Sequence, residues 1–161
     1  ITSGSKQIMS GHTLSANPQS AAVALAVMEY LENKNLLADV DSKGVYLKNL
    51  IDKLKVQFPF IGDIRGKGLL LGLEFVEDRE TKRSFSKGFN LTSRLIKIAQ
   101  SLGLLVYPAS AGLDGISGDA IIIAPPLTIT KREIEELVRL LELSMRQLKQ
   151  ELERQGVKMD D

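Results

Sequence analysis

Thr130-Lys131-Arg132-Glu133 has the pattern of a capping box, and Ile129 and Ile134 stand around it in the positions of a hydrophobic staple. The helix it starts carries Ile134, Leu137, Val138, Leu141, Met145, Leu148 and Leu152 on one side before running into a charged tail. A single apolar stripe with Ser144 in its middle suits packing on a sheet better than a coiled-coil seam. A helix with one long apolar side needs an apolar layer beneath it. The rest of the chain must therefore supply strands.

Leu69 to Val76 supplies one, with Leu69, Leu71, Leu73 and Phe75 alternating. Leu104 to Tyr107 and Ala120 to Ala124 read as two short apolar strands, joined by a long glycine-containing connection. Between and before them lie three helical patterns. Gln19 to Leu31 is apolar on all faces, which predicts a buried helix whose small residues permit close approach of another element or a second subunit. From Leu36 a stripe of Leu47, Leu50, Ile51, Leu54 and Phe58 runs to Pro59, with Gly44 weakening its start. Leu91, Leu95, Ile98, Ala99 and Leu102 make the third, stopped by Gly103 as a C-terminal cap. Glu77 to Lys87 is charged without apolar period and reads as a solvated excursion.

Gly62 to Gly68 reads as a glycine-punctuated turn leading into the first strand. It fails the phosphate-loop template, which needs Gly at 61 and Ser or Thr at 68, where Ile61 and Gly68 stand. The dinucleotide pattern fails at Leu71. The glycines are read as a bulge or tight bend. Arg65 could meet a carboxylate or phosphate bidentately, or form a structural ion pair.

The element order is then helix, helix, strand, helix, strand, strand, helix. Adjacent strands with short links pair antiparallel, so the fold class is α/β of the α+β kind: a two-layer sandwich with a small, mostly antiparallel sheet covered by helices. At 161 residues, and without an internal repeat, the chain is one domain.

Composition narrows what such a domain can do. Lys plus Arg total 21 against 20 for Asp plus Glu, with the signs interspersed, so no nucleic-acid footprint is present. The absence of cysteine excludes disulfides and thiol catalysis, and one histidine leaves no transition-metal set. No uninterrupted apolar run reaches the roughly 18 residues that span a bilayer, so no membrane association is expected. A cytoplasmic location is the default expectation. The chain begins at Ile1 without methionine, consistent with a piece of something longer.

The best candidate for chemistry is the polar turn Ser10-Gly11-His12-Thr13-Leu14-Ser15-Ala16-Asn17-Pro18. Ser10, His12, Thr13, Ser15 and Asn17 sit beside the free N–H groups of a helix start, a combination that suits a bound anion such as phosphate. Asn17 followed by Pro18 is equally an ordinary helix start, with Asn as cap and Pro at the first helical position.

Gly11-His12-Thr13-Leu14-Ser15-Ala16-Asn17-Pro18 with the alanine-rich run after it resembles the Gly-His-Thr segment of class III aminotransferases. Two more stretches agree in order and spacing: Gly62-Asp63-Ile64-Arg65-Gly66-Lys67-Gly68-Leu69 with Leu71-Gly72-Leu73-Glu74, and Gly118-Asp119 with Ala124-Pro125-Pro126-Leu127-Thr128-Ile129-Thr130. The resemblance covers nearly the whole chain. It implies the C-terminal small domain of a fold-type I aminotransferase, with residues 1–17 as an arm near the cofactor, 18–34 as a linking helix and 35–161 as the small domain. It further implies pyridoxal phosphate as cofactor and a homodimer in which Thr13 binds the cofactor phosphate in the neighbouring subunit's site, Gly11 and His12 shaping the turn. The substrates implied are a small amine and a keto acid.

The lysine that anchors the cofactor in this family lies upstream of the Gly-His-Thr segment, in a region this sequence does not contain. Lys6 is too close to the motif and lacks the family's surrounding glycines. The chain by itself is therefore expected to be inert, with no catalytic residue of its own. Relatives that take an α-carboxylate often place an Arg just before the Ala-Pro-Pro turn, and Ile122 stands there. Others supply an Arg from the preceding loop, yet Pro108 to Asp119 contains neither Arg nor Lys. Either the amino donor is not recognised through a carboxylate here or the Arg comes from the part outside this sequence, and the reading favoured is an amine or ω-amino acid donor with a keto-acid acceptor. A stand-alone α/β binding domain, or a dimerisation module built on the small-residue helix, is the alternative.

Overall fold

The structure, a computed structural model, describes residues 16–110 and 117–156. The chain divides into two compact units, with the boundary after Leu36.

The first unit contains helix α1 (Pro18–Asn33). Its start is capped: the Asn17 carboxamide oxygen accepts the Ser20 N–H at 3.1 Å, and Pro18 occupies the first helical turn. The sequence pattern predicts a buried helix, yet α1 buries no residue, and Val23 and Leu25 each keep 60% of their surface. The reason is that a lone helix has no second element in its own described unit to lie against.

The second unit is a sheet with helices on one face. After a short 3-10 turn at Leu36–Asp39, α2 (Val40–Gln57) buries Gly44, Leu47, Ile51 and Leu54. Then follow β1 (Ile61–Lys67) and β2 (Leu70–Phe75), an antiparallel hairpin closed through Gly68 and Leu69. The sequence places a glycine turn where β1 runs. A bulge at Gly62 shifts the register between Ile61 and Asp63, so the inward residues Ile61 and Ile64 are three apart and the alternation of a strand is hidden. The glycines do make a tight bend as well. Gly68 adopts φ 54°, and a Cβ on Gly44 would lie 2.3 Å from the Gly68 carbonyl oxygen. Gly44, a weak point for helix formation, is what lets α2 lie on the hairpin turn.

The charged stretch after β2 is only partly solvated. Phe85 turns into the core at 4% exposure and meets Phe89 edge-on. Arg79 donates to the carbonyl oxygens of Lys55 (2.8 Å), Phe58 (3.0 Å) and Ile61 (3.0 Å), placing a cation on the carbonyls at the end of α2.

Helix α3 (Leu91–Ser101) ends at Gly103 with φ 88°, as the glycine predicts. The next strand, β3, is only Tyr107–Pro108 rather than Leu104 to Tyr107. The Leu104 N–H is used by the Ala99 carbonyl to finish α3, and Pro108 has no N–H to extend the ladder. Strand β4 (Asp119–Ile123) completes a four-stranded sheet of order β1-β2-β4-β3, antiparallel throughout.

Helix α4 (Lys131–Arg154) begins with the predicted capping box, Thr130 accepting from the Glu133 N–H while the Glu133 carboxylate accepts from the Thr130 N–H. Ile134, Val138, Leu141, Met145, Leu148 and Leu152 are buried along it, and Ile129 is buried beside its start. Ser144 is tolerated in the stripe because its hydroxyl donates to the Leu140 carbonyl at 2.7 Å. These residues join Leu71, Leu73, Phe75, Ile121 and Ile123 from the sheet in one core. The result is a two-layer sandwich whose opposite sheet face is covered by no helix of this unit among the described residues.

Candidate functional site

Strand alternation decides which residues the opposite sheet face presents. With Leu71, Leu73, Phe75, Ile121 and Ile123 turned into the core, Gly72, Glu74, Ala120 and Ile122 face the other way. Register then lines them up across strands. One row runs Arg65, Gly72, Ile122, Tyr107; the next contains Asp63, Glu74 and Ala120. These residues and the neighbouring Gly62, Val76, Arg79, Lys82, Ala109 and Gly118 surround a depression of about 810 Å³.

One end of the depression is charged. Arg65 donates to Asp63 at 2.9 Å and also to Glu74, so a single guanidinium ties adjacent strands of the hairpin. The hydrogen bond from Arg65 holds the Asp63 carboxyl below its ordinary value, outweighing partial burial, and Glu74 followed by Asp63 raises Arg65. Two carboxylates against one cation leave this group with a net charge of about −1. Of the two uses the sequence allows for Arg65, the structural ion pair is the one present. The other end is apolar, walled by Ala109, Ala120 and Ile122.

Asp119, in the Gly118-Asp119 motif, has a structural task that its sequence does not disclose. Its carboxylate accepts the Thr92 N–H at 2.9 Å and the Thr92 hydroxyl at 2.7 Å, and the same hydroxyl accepts the Ala120 N–H at 3.1 Å. The start of α3 has no side-chain cap of its own, since Asn90 precedes it in the left-handed region. Asp119 therefore caps α3 from across the fold and anchors the beginning of β4. The available signal was a helix start without a local acceptor.

Gly11, His12 and Thr13 lie outside the described residues. What can be read is the start of α1, where Pro18 offers no N–H, Ser20 is capped by Asn17 and Ala21 bonds the Asn17 carbonyl. Most first-turn donors are thus in use, so a phosphate group would depend on the segment before Asn17 rather than on the helix end. Among the described residues no group of His, Cys, Asp or Glu could hold a metal ion, and no helix is long and apolar enough to cross a membrane. The lining of the depression holds, among the described residues, no Ser, Thr, Cys or His.

Comparison with known proteins places this architecture. The family model for aminotransferase class-III matches residues 1–145. An uncharacterised aminotransferase, YodT, of Bacillus subtilis is 48% identical over 138 residues, which is 86% of this chain and 31% of that protein. Among solved structures, a transaminase from the marine bacterium Virgibacillus superposes with a TM-score of 0.82 at 25% identity, over 91% of this chain and 32% of that one. An (S)-enantioselective omega-transaminase from Thermomicrobium roseum superposes with a TM-score of 0.77 at 30% identity, over 91% of this chain and 31% of that one. The chain thus spans less than a third of the relatives it matches. Its small antiparallel sheet under helices is the small domain of fold-type I transaminases, and the chain belongs to the class-III aminotransferases.

Proposed function

We propose that this chain is the C-terminal part of a pyridoxal-phosphate-dependent aminotransferase that moves an amino group from an amine or ω-amino acid to a keto acid. The reading of the donor rests on one observation. Ile122, at the position where relatives that take an α-carboxylate often place an Arg, lies on the wall of the depression beside Gly72, and the cation in the same row, Arg65, is already matched by two carboxylates. A substrate carboxylate set against Ile122 would meet an apolar side chain at a cost, with Arg65 in the same row already engaged and the remaining cations of the lining, Arg79 and Lys82, on the segment after β2. An uncharged substituent meets no such penalty.

The cofactor part of the proposal rests on the Gly-His-Thr segment. Thr13 contributes its hydroxyl to the cofactor phosphate, and Gly11 and His12 shape the turn that presents it. The site served is the neighbouring subunit's, in a cytoplasmic homodimer, an arrangement in which a two-fold axis lets each subunit lend the same group. When bound, pyridoxal phosphate supplies the electron sink that lets an amino group leave one carbon and join another. The residues of this chain bind and orient, and the 161-residue chain alone is inert.

The test is an absorbance titration of the full-length protein carrying this chain with pyridoxal phosphate, wild type against Thr13→Ala. The expected result is a shifted cofactor band in wild type and retention weakened roughly tenfold or more in the variant, the worth of about 1.5 kcal/mol for a hydrogen bond to a charged group. No band in either protein would move the reading to a binding domain without catalysis. Equal retention would leave the enzyme but reduce Thr13 to part of a helix-capping turn.

A further inference from the structure

The glycines within the strands are not equivalent. A Cβ on Gly62 would stand 2.9 Å from both methyl groups of Val76, and Gly66, at φ 146°, would place one 2.1 Å from the Leu70 carbonyl oxygen. Both are required by the chain's own packing. Gly72 is not. It lies in the middle of β2, paired to Arg65 on one side and Ile122 on the other, and among the described residues a Cβ there would meet the Arg65 carbonyl oxygen alone, at an ordinary 3.8 Å. Glycine in an interior strand weakens it and commonly marks a place where something else approaches closely. At this position the missing side chain is part of the floor of the depression, between the charged Asp63, Arg65 and Glu74 and the apolar Ala120 and Ile122. The depression has the size of a small-molecule site.

We infer that Gly72 is a specificity-determining residue: the space above it receives the apolar substituent of the amine donor, and the absent side chain sets how large that substituent can be. The inference rests on the aminotransferase reading. The surface next to Gly72 toward β4 agrees with an uncharged occupant, because it is lined by Ala120 and Ile122, while Arg65 on the β1 side is engaged by Asp63 and Glu74.

Gly72→Ala and Gly72→Val in the full-length protein test it, with isopropylamine, sec-butylamine and 1-phenylethylamine as donors to pyruvate and a thermal melt of each variant. The expected result is a melting temperature that holds or rises in Gly72→Ala, since nothing among the described residues opposes the methyl group. With it, kcat/KM for 1-phenylethylamine falls roughly tenfold or more relative to isopropylamine, and further in Gly72→Val, if the space above Gly72 is the donor's. Variants that keep the wild-type ratio overturn the inference alone. A melting temperature that drops in Gly72→Ala overturns it too, because the space would then be filled by polypeptide. A wild type that binds pyridoxal phosphate but uses none of the three amines overturns the inference, and one that binds no cofactor removes the aminotransferase reading with it.

Discussion

At the scale of single residues, Ile122 is the position where a change should alter what the protein accepts. Its side chain is half-buried on the sheet face opposite the helices with glycine on the adjacent strand, so a longer side chain has room to extend over Gly72. Ile122→Arg in the full-length protein is expected to raise kcat/KM for donors with an α-carboxylate relative to simple amines, roughly tenfold or more for a charge-assisted pair. Steady-state kinetics with L-alanine and isopropylamine check it. Asp63 yields a prediction of a different kind. Because its folded carboxyl is held below the ordinary value of 3.8 by Arg65, the folded chain binds fewer protons than the unfolded one between the two values. The stability this contributes is present above the unfolded value and is lost as pH falls through the folded one. Asp63→Asn is therefore expected to flatten the acid side of the stability profile below about pH 4, with a small effect near neutrality because the pair is largely exposed. Urea unfolding followed from pH 3 to 7 reads it directly.

At the scale of elements, the Thr92–Asp119 tie joins a helix start to a strand start 27 residues away in sequence. Thr92 is 3% exposed, so removing its hydroxyl leaves the Ala120 N–H without that partner and takes one of two bonds from the Asp119 Oδ1, in a place water reaches poorly. Thr92→Val should cost about 1–3 kcal/mol in denaturant unfolding, and Thr92→Ser should recover most of it. An unchanged midpoint in Thr92→Val would mean the tie is incidental. The elements also show where periodicity serves and where it fails. The stripe of α4 and the alternation of β2 run unbroken and are found where the pattern puts them, whereas the bulge at Gly62 disguises β1 and the end of α3 consumes the N–H that would have extended β3.

At the scale of the whole molecule, the sequence by itself determined the α4 capping box and stripe, the Gly103 stop, the strand at β2, and, through three motifs in order, the class-III aminotransferase family. Those features are local: a 3.6-residue or two-residue period, or a cap, is complete within a dozen neighbouring residues. Only the tertiary structure decided that β4 lies next to β2 and that this pairing brings Ile122 beside Gly72. It also decided between the two roles open to Arg65 by bringing Glu74 across the hairpin. The physical reason is common to all of these: strand pairing, trans capping and burial depend on which distant segment arrives as a neighbour, and no period within a segment carries that information.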